Sequence, residues 1–159
     1  MSSNKHRKSK IARMVTCRSL FGVRHVCAAT LDDIFRGLDG AVYSKSQGIN
    51  VELSDQPSFD EWEWSVKDYT VRVRAELTDV QLEEGEIPIE SVDLKVSCSC
   101  AYWQWQGPEY HGQQEDYLLG SPRGTANEPS ERDPEGVQKL CKHAAAVLNE
   151  MRRTTIEPE

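Results

Sequence analysis

The fold of this chain depends on two short stretches, VSCSC at residues 96–100 and LCKHA at residues 140–144. Each stretch places two metal-ligating side chains two positions apart, Cys98 and Cys100 in the first and Cys141 and His143 in the second. Three thiols and one imidazole are the donor set of a closed, tetrahedral structural zinc site. We therefore predict that these four residues bind one structural zinc ion.

The patterns around the two pairs predict how the ligands converge. Inward-facing positions alternate with polar ones along residues 92–100, so both thiols leave the same face at the end of a strand. Side chains two apart on a flat strand are too distant to share an ion, and the strand must therefore bend. Positions two apart on a helix point in nearly opposite directions. Cys141 is thus predicted in the turn entering the last helix, and His143 in its first turn.

This arrangement, CxC on a strand and CxH on a helix, resembles the SWIM-type zinc finger over roughly residues 90–150. The resemblance implies that Cys98, Cys100, Cys141 and His143 are its zinc ligands and that the finger binds DNA or protein. The spacer carries the aromatic patch AYWQW at 101–105 and the turn SPRG at 121–124. These features are similar to SWIM-containing proteins encoded in tailed-phage structural gene clusters. That likeness implies a virion component assembled in the host cytoplasm.

Four segments are predicted along the chain. Residues 1–18 form a basic arm, and residues 19–89 a helix plus antiparallel strands. Residues 90–153 form the finger, with a long inserted loop at about 106–136 that is rich in Gly, Pro and polar residues. Residues 154–159 are a tail. The predicted fold class is α+β, an antiparallel sheet closed by a C-terminal helix that the zinc ties to it.

Local signals predict the elements before the finger. Thr30 followed by Asp32 and Asp33 indicates an N-cap and a short helix that ends near Gly37 or Gly40. From residue 41 the apolar period is two, which predicts a hairpin around residues 46–48.

Two further signals concern the sheet and the last helix. The inward parity switches between residues 62–66 and 69–77, which predicts a turn or a β-bulge at Lys67 and Asp68. The final helix is predicted near residues 137–153 from a regular apolar stripe.

Charge is distributed unevenly between residues 1–31, which include the predicted arm, and the rest of the chain. Residues 1–31 contain seven Lys or Arg and no Asp or Glu, so the rest of the chain holds twelve basic and 26 acidic side chains. Such an arm is either a solvated segment or a docking element for an anionic partner. We expect other protein subunits as partners. Nucleic acid is the alternative, contacted through Lys5, Arg7, Lys8, Lys10 and Arg13.

Composition argues against other classes of protein. No stretch has the roughly 18 to 20 apolar residues that cross a bilayer, and the N-terminus lacks the apolar core of a secretory signal. We expect no membrane partner. Five cysteines without an export signal favour metal binding or free thiols over disulfides.

Two alternatives for the chemistry-bearing residues remain open. Cys17, His25 and Cys27 form a second cluster, for which packing or free thiols are favoured because the spacing matches no known site. A catalytic Cys141 and His143 pair is the second alternative, but a fully ligated zinc would leave no nucleophile and no open position for water. A catalytic zinc would have to be considered if His111 replaced His143 or if one ligand were missing. We expect no enzyme activity and no small-molecule substrate.

The tryptophans form two WxW pairs, Trp62 with Trp64 and Trp103 with Trp105. Each pair is predicted on one face of a strand, with core packing favoured. An exposed pair would instead indicate an interface, where Trp is enriched.

Overall fold

The computed structural model describes residues 30–36, 38–83, 85–105, 131 and 140–158. The predicted arm at 1–18, the cluster of Cys17, His25 and Cys27, and almost all of the predicted loop at 106–136, including His111, lie outside these ranges. The described residues form an α+β fold with an antiparallel sheet and a C-terminal helix, which confirms the predicted fold class. None of their helices is long and apolar enough to span a bilayer.

The main sheet has four antiparallel strands in the order β1-β2-β3-β5. The strands are β1 (Glu52–Ser58), β2 (Glu61–Val66), β3 (Tyr69–Glu76) and β5 (Asp93–Cys98). A two-residue turn joins β2 to β3, where Lys67 has a positive φ of 56°. This is the turn that the parity switch predicts.

The inner face of the sheet carries the apolar residues. Trp62, Trp64, Val66, Val71, Val73, Ala75, Leu94, Val96 and Cys98 are all buried along β2, β3 and β5. Burial of Trp62, Trp64 and Trp103 confirms that packing, not exposure, explains these tryptophans. The alternating pattern therefore places the core on one side of the sheet.

Two short helices precede the sheet. Helix α1 (Leu31–Arg36) begins after Thr30, whose hydroxyl accepts a hydrogen bond from the Asp33 backbone N–H at 3.3 Å, as the N-cap signal predicts. Helix α2 (Gly40–Ser46) replaces the first strand of the predicted hairpin, and that prediction is wrong.

The wrong prediction has a local cause. The Asp39 carboxylate caps α2 by accepting hydrogen bonds from the backbone N–H groups of Ala41 at 2.7 Å and Val42 at 3.2 Å. Gly48, with a φ of 73°, lies just beyond the helix end and not in a hairpin turn.

The prediction that Trp103 and Trp105 lie on a strand is also wrong. Both residues lie on helix α4 (Ala101–Trp105). Before it come the short helix α3 (Asp79–Leu82), the strand β4 (Ile87–Pro88) and a 3-10 turn at Ile89–Ser91. Strand β5 ends at Cys98 and α4 begins at Ala101, so the chain leaves the sheet between the two cysteines of the first pair.

Helix α5 (Lys142–Glu150) packs against β3, β5 and α2 and closes the core. The predicted stripe of Leu140, Ala144, Val147, Leu148 and Met151 is buried. A 3-10 turn at Met151–Arg153 follows, and then β6 (Thr155–Ile156) pairs with β4. The segment predicted as a tail thus includes a short strand, and Ile156 is buried in the core.

Arg152 joins the C-terminal turn to α1. Its guanidinium lies 4.5 Å from the centre of the Phe35 ring, and Nη1 is 3.5 Å from a Glu90 carboxylate oxygen and 3.9 Å from an Asp32 carboxylate oxygen. A partly exposed cation–π contact and surface ion pairs each contribute modestly. Arg152 therefore links three segments that are distant in sequence.

We expect Arg152→Ala to lower the free energy of unfolding by about 1 kcal/mol, because both kinds of contact are lost. Urea denaturation in low salt measures the change, which should shrink as salt screens the ion pairs. Arg153→Ala is the matched control, since Arg153 is exposed and should be nearly neutral. Equal effects of the two substitutions would contradict the assigned role.

Candidate metal centre

The first ligand pair lies where β5 ends. Cys98 is the last residue of the strand. The next residue, Ser99, is hydrogen-bonded to Thr70 of β3. The Ser99 backbone N–H donates to the Thr70 carbonyl at 3.0 Å, and the Ser99 hydroxyl accepts from the Thr70 N–H at 2.9 Å. The Ser99 hydroxyl thus accepts the hydrogen bond that a backbone carbonyl would accept in a regular strand pair. The chain bends here, as predicted, and Cys100 faces the same point as Cys98.

The second ligand pair lies where α5 begins. Cys141 is the N-cap residue, with extended backbone, and its Sγ accepts a hydrogen bond from the Ala144 backbone N–H at 3.4 Å. His143 is the second residue of the helix. The predicted placement of Cys141 in the entering turn and His143 in the first helical turn is confirmed.

The four side chains meet in the core. One donor atom from each of Cys98, Cys100, Cys141 and His143 lies within 4.8 Å of all the others, and all four residues are buried. A tetrahedral zinc ion with bonds of about 2.0 to 2.3 Å holds its donors a little under 4 Å apart. The observed cluster therefore has the donor types that suit a zinc ion and is compact enough to hold one.

A buried atom without a partner supports the same fit. Within the described ranges, Nδ1 of His143 is buried and makes no hydrogen bond. Buried polar atoms are normally paired, and an orphan at a cluster of donors indicates a group that the cluster is built to bind. A metal cation bound by the imidazole and thiolates would satisfy this need.

The thiols interact strongly in the absence of a cation. Hydrogen bonds from the Cys141 and Cys98 thiols lower the pKa of Cys100 far below its usual range. The hydrogen bond with Cys100 raises the pKa of Cys98 to about 12, and burial raises the pKa of Cys141 well above its ordinary value. The metal-free cluster thus favours a single thiolate. A divalent cation would allow all three to ionise, since it offsets their mutual repulsion.

Backbone N–H groups support the sulfurs from outside the cluster. The Trp103 N–H donates to Cys100 Sγ at 3.3 Å, just as the Ala144 N–H donates to Cys141 Sγ. Cys100 and Cys141 are each followed by a helix, and the first turn of each helix directs a backbone N–H group at the sulfur. Such hydrogen bonds favour the thiolate form that metals require.

Comparison with known families agrees with this geometry. The model of the SWIM zinc finger matches residues 69–108 and 135–151, which include both ligand pairs and omit the middle of the long spacer. This part of the chain is therefore similar to the SWIM zinc finger, and the Cys/His cluster supports a zinc finger of that type. Searches of curated proteins and of solved structures found no match.

Sequence reasoning missed the residues that surround the ligands. The Tyr69 ring contacts the His143 ring at a centroid distance of 4.7 Å, and Thr70 and Ser99 form the paired bonds described above. One signal was available, because Tyr69 shares the inward parity of Val71 in the predicted strand. The alternation of side chains along a strand does not reveal which residue of another element packs against Tyr69.

Proposed function

We propose that this chain is a non-catalytic adaptor protein in which one zinc ion, bound by Cys98, Cys100, Cys141 and His143, joins the sheet to α5. The observation that carries this proposal is the closed, buried donor set of three thiols and one imidazole. When bound, the zinc would supply a structural crosslink between residues far apart in sequence. Structural zinc sites contribute directly to folding energy in this way.

The same donor set argues against catalysis. Catalytic zinc keeps a position open for water or substrate, whereas four protein ligands fill a tetrahedron. A cysteine nucleophile activated by histidine needs both side chains free, and here Cys141 and His143 are both assigned to the metal. We therefore propose a binding role for the whole chain.

Protein subunits of a larger assembly are the partners we propose. The support is the contrast between a basic segment at residues 1–31 and an acidic remainder, which allows copies or neighbours to attract one another by charge. The assembly we propose is a phage virion, because the spacer resembles that of SWIM-containing proteins from phage structural gene clusters.

Metal analysis tests the first part of the proposal. We expect about one zinc ion per chain when the protein is purified under reducing conditions with zinc present, since three thiolates and an imidazole form one complete site. Cobalt substitution should give a tetrahedral, thiolate-rich absorption spectrum. Zinc-free protein that keeps its fold in the presence of excess zinc would contradict the proposal.

A salt-dependent gel-shift assay tests the partner. DNA-associated function is the rival, favoured by Lys5, Arg7, Lys8, Lys10 and Arg13. We expect no DNA binding near physiological salt, because the acidic body repels phosphate. Binding that falls steeply with salt, and that is lost on deleting residues 1–15, would favour the rival. The same deletion should leave zinc content unchanged while it prevents incorporation into the assembly.

A further inference from the structure

Tyr69 is the first residue of β3 and the nearest aromatic contact of the histidine in the cluster. Its ring lies 4.7 Å from the His143 ring, centroid to centroid, with an angle of 37° between the planes. This distance is within the range of favourable aromatic pairs. Tyr69 is half-buried, whereas His143 is buried. The tyrosine therefore forms a wall of the centre and is not one of its ligands.

The backbone on both sides of Tyr69 is held firmly. Tyr69 pairs with Val66 across the two-residue turn of the β2–β3 hairpin. The next residue, Thr70, exchanges two hydrogen bonds with Ser99, which lies between the two cysteines of the first ligand pair. The Tyr69 ring and the Cys98–Cys100 bend thus share one rigid support.

The orientation of the His143 imidazole needs such a support. The χ2 torsion of histidine is broad and roughly two-fold, so the ring can rotate unless a neighbour fixes it. In many metal sites a hydrogen bond to the second ring nitrogen does this. Nδ1 of His143 is the nitrogen available to the cation, and the contact that the structure shows on the imidazole ring is the one with Tyr69.

We propose that Tyr69 is a positioning residue of the zinc centre, which holds the His143 imidazole by ring contact so that one nitrogen points at the three sulfurs. This inference rests on the proposed zinc ligation. It assigns to the β2–β3 hairpin a role in metal affinity in addition to its role in the sheet. The flat ring carries the effect, and the phenolic hydroxyl does not.

The test compares two substitutions of Tyr69. Tyr69→Leu keeps an apolar side chain but removes the flat ring, and we expect zinc affinity to fall by roughly ten- to a hundred-fold, as for other groups that support metal ligands. Tyr69→Phe keeps the ring and should restore affinity to near the wild-type value. Competition with a chromophoric chelator measures the affinity, and the cobalt-substituted spectrum should change in the Leu variant alone.

Phe59→Leu is the matched control. Phe59 is a partly buried aromatic at the β1–β2 turn, at the end of β2 opposite the Tyr69 hairpin, and packs against the same core. Its substitution should lower stability without changing zinc affinity or the cobalt spectrum. A general loss of packing would affect both variants, whereas loss of ligand orientation affects Tyr69→Leu only.

The outcomes separate this inference from the proposed function. A wild-type chain that binds zinc, with a Tyr69→Leu variant of equal affinity and spectrum, overturns the role of Tyr69 and leaves the zinc site in place. A wild-type chain that binds no zinc overturns both. NMR of the zinc-loaded wild type adds a test independent of variant folding. Contacts between Tyr69 and His143 ring protons are expected, and their absence overturns the inference.

Discussion

Cys141→Ser is expected to abolish tight zinc binding and to lower the stability of the chain by about 4 kcal/mol or more. Serine is a good N-cap residue, so the hydroxyl can still accept the Ala144 N–H and the start of α5 stays capped. The substitution therefore removes a metal ligand while it preserves the local hydrogen bond. The loss of stability then measures how much the bound metal contributes to the stability of the fold.

The magnitude follows from linkage. A ligand that binds only the folded state, at roughly a thousand times its dissociation constant, stabilises that state by about 4 kcal/mol. For a chain of this size the thermal midpoint should fall by roughly 10 °C. Scanning calorimetry with and without a chelator measures it. Chelation should destabilise the wild type and leave Cys141→Ser unchanged.

Hydrogen exchange should show which part of the chain is destabilised by the loss of zinc. We expect amide protection to fall first along α5, because the proposed zinc would hold the N-terminus of this helix to the end of β5. Cys27→Ser is the comparison variant, because Cys27 is not one of the four proposed ligands, and it should keep full zinc content. Retention of zinc by Cys141→Ser would show that Cys141 is not a ligand.

Ile156→Ala is expected to lower the free energy of unfolding by about 2 to 4 kcal/mol, a large effect for a residue so close to the C-terminal end of the sequence. Ile156 is 1% exposed and pairs with the fully buried Ile87 across the β4–β6 ladder. The backbone just before it is also held, since the Ile89 N–H donates to the Thr154 carbonyl at 3.0 Å. Truncation would leave a cavity in the buried core.

Urea denaturation in the presence of zinc measures this change, and zinc affinity should stay the same because Ile156 does not belong to the metal cluster. Thr155→Ala is the matched control, since Thr155 is the exposed neighbour on the same strand. A change below about 1 kcal/mol for Ile156→Ala would mean that β6 contributes little to the fold, as a simple tail would.

The errors of the sequence-based predictions share a physical origin. The sequence pattern predicts a strand at Val42 and Tyr43 and another at Trp103 and Trp105, because short apolar runs do not distinguish a strand from a buried helix. What selects the helix is a hydrogen bond to a neighbouring side chain. Asp39 caps α2, and Cys100 Sγ accepts the Trp103 N–H at the start of α4.

By itself the sequence determined the fold class, the sheet from β2 onward and the four residues that cluster, because alternating patterns and paired donor types are local and chemically distinctive. The tertiary structure alone decided that Tyr69 contacts His143, that Arg152 links its own turn to two other segments and that β6 completes a second sheet. These are contacts between residues distant in sequence, and they depend on how the elements pack. No local pattern specifies which side chains packing will bring together.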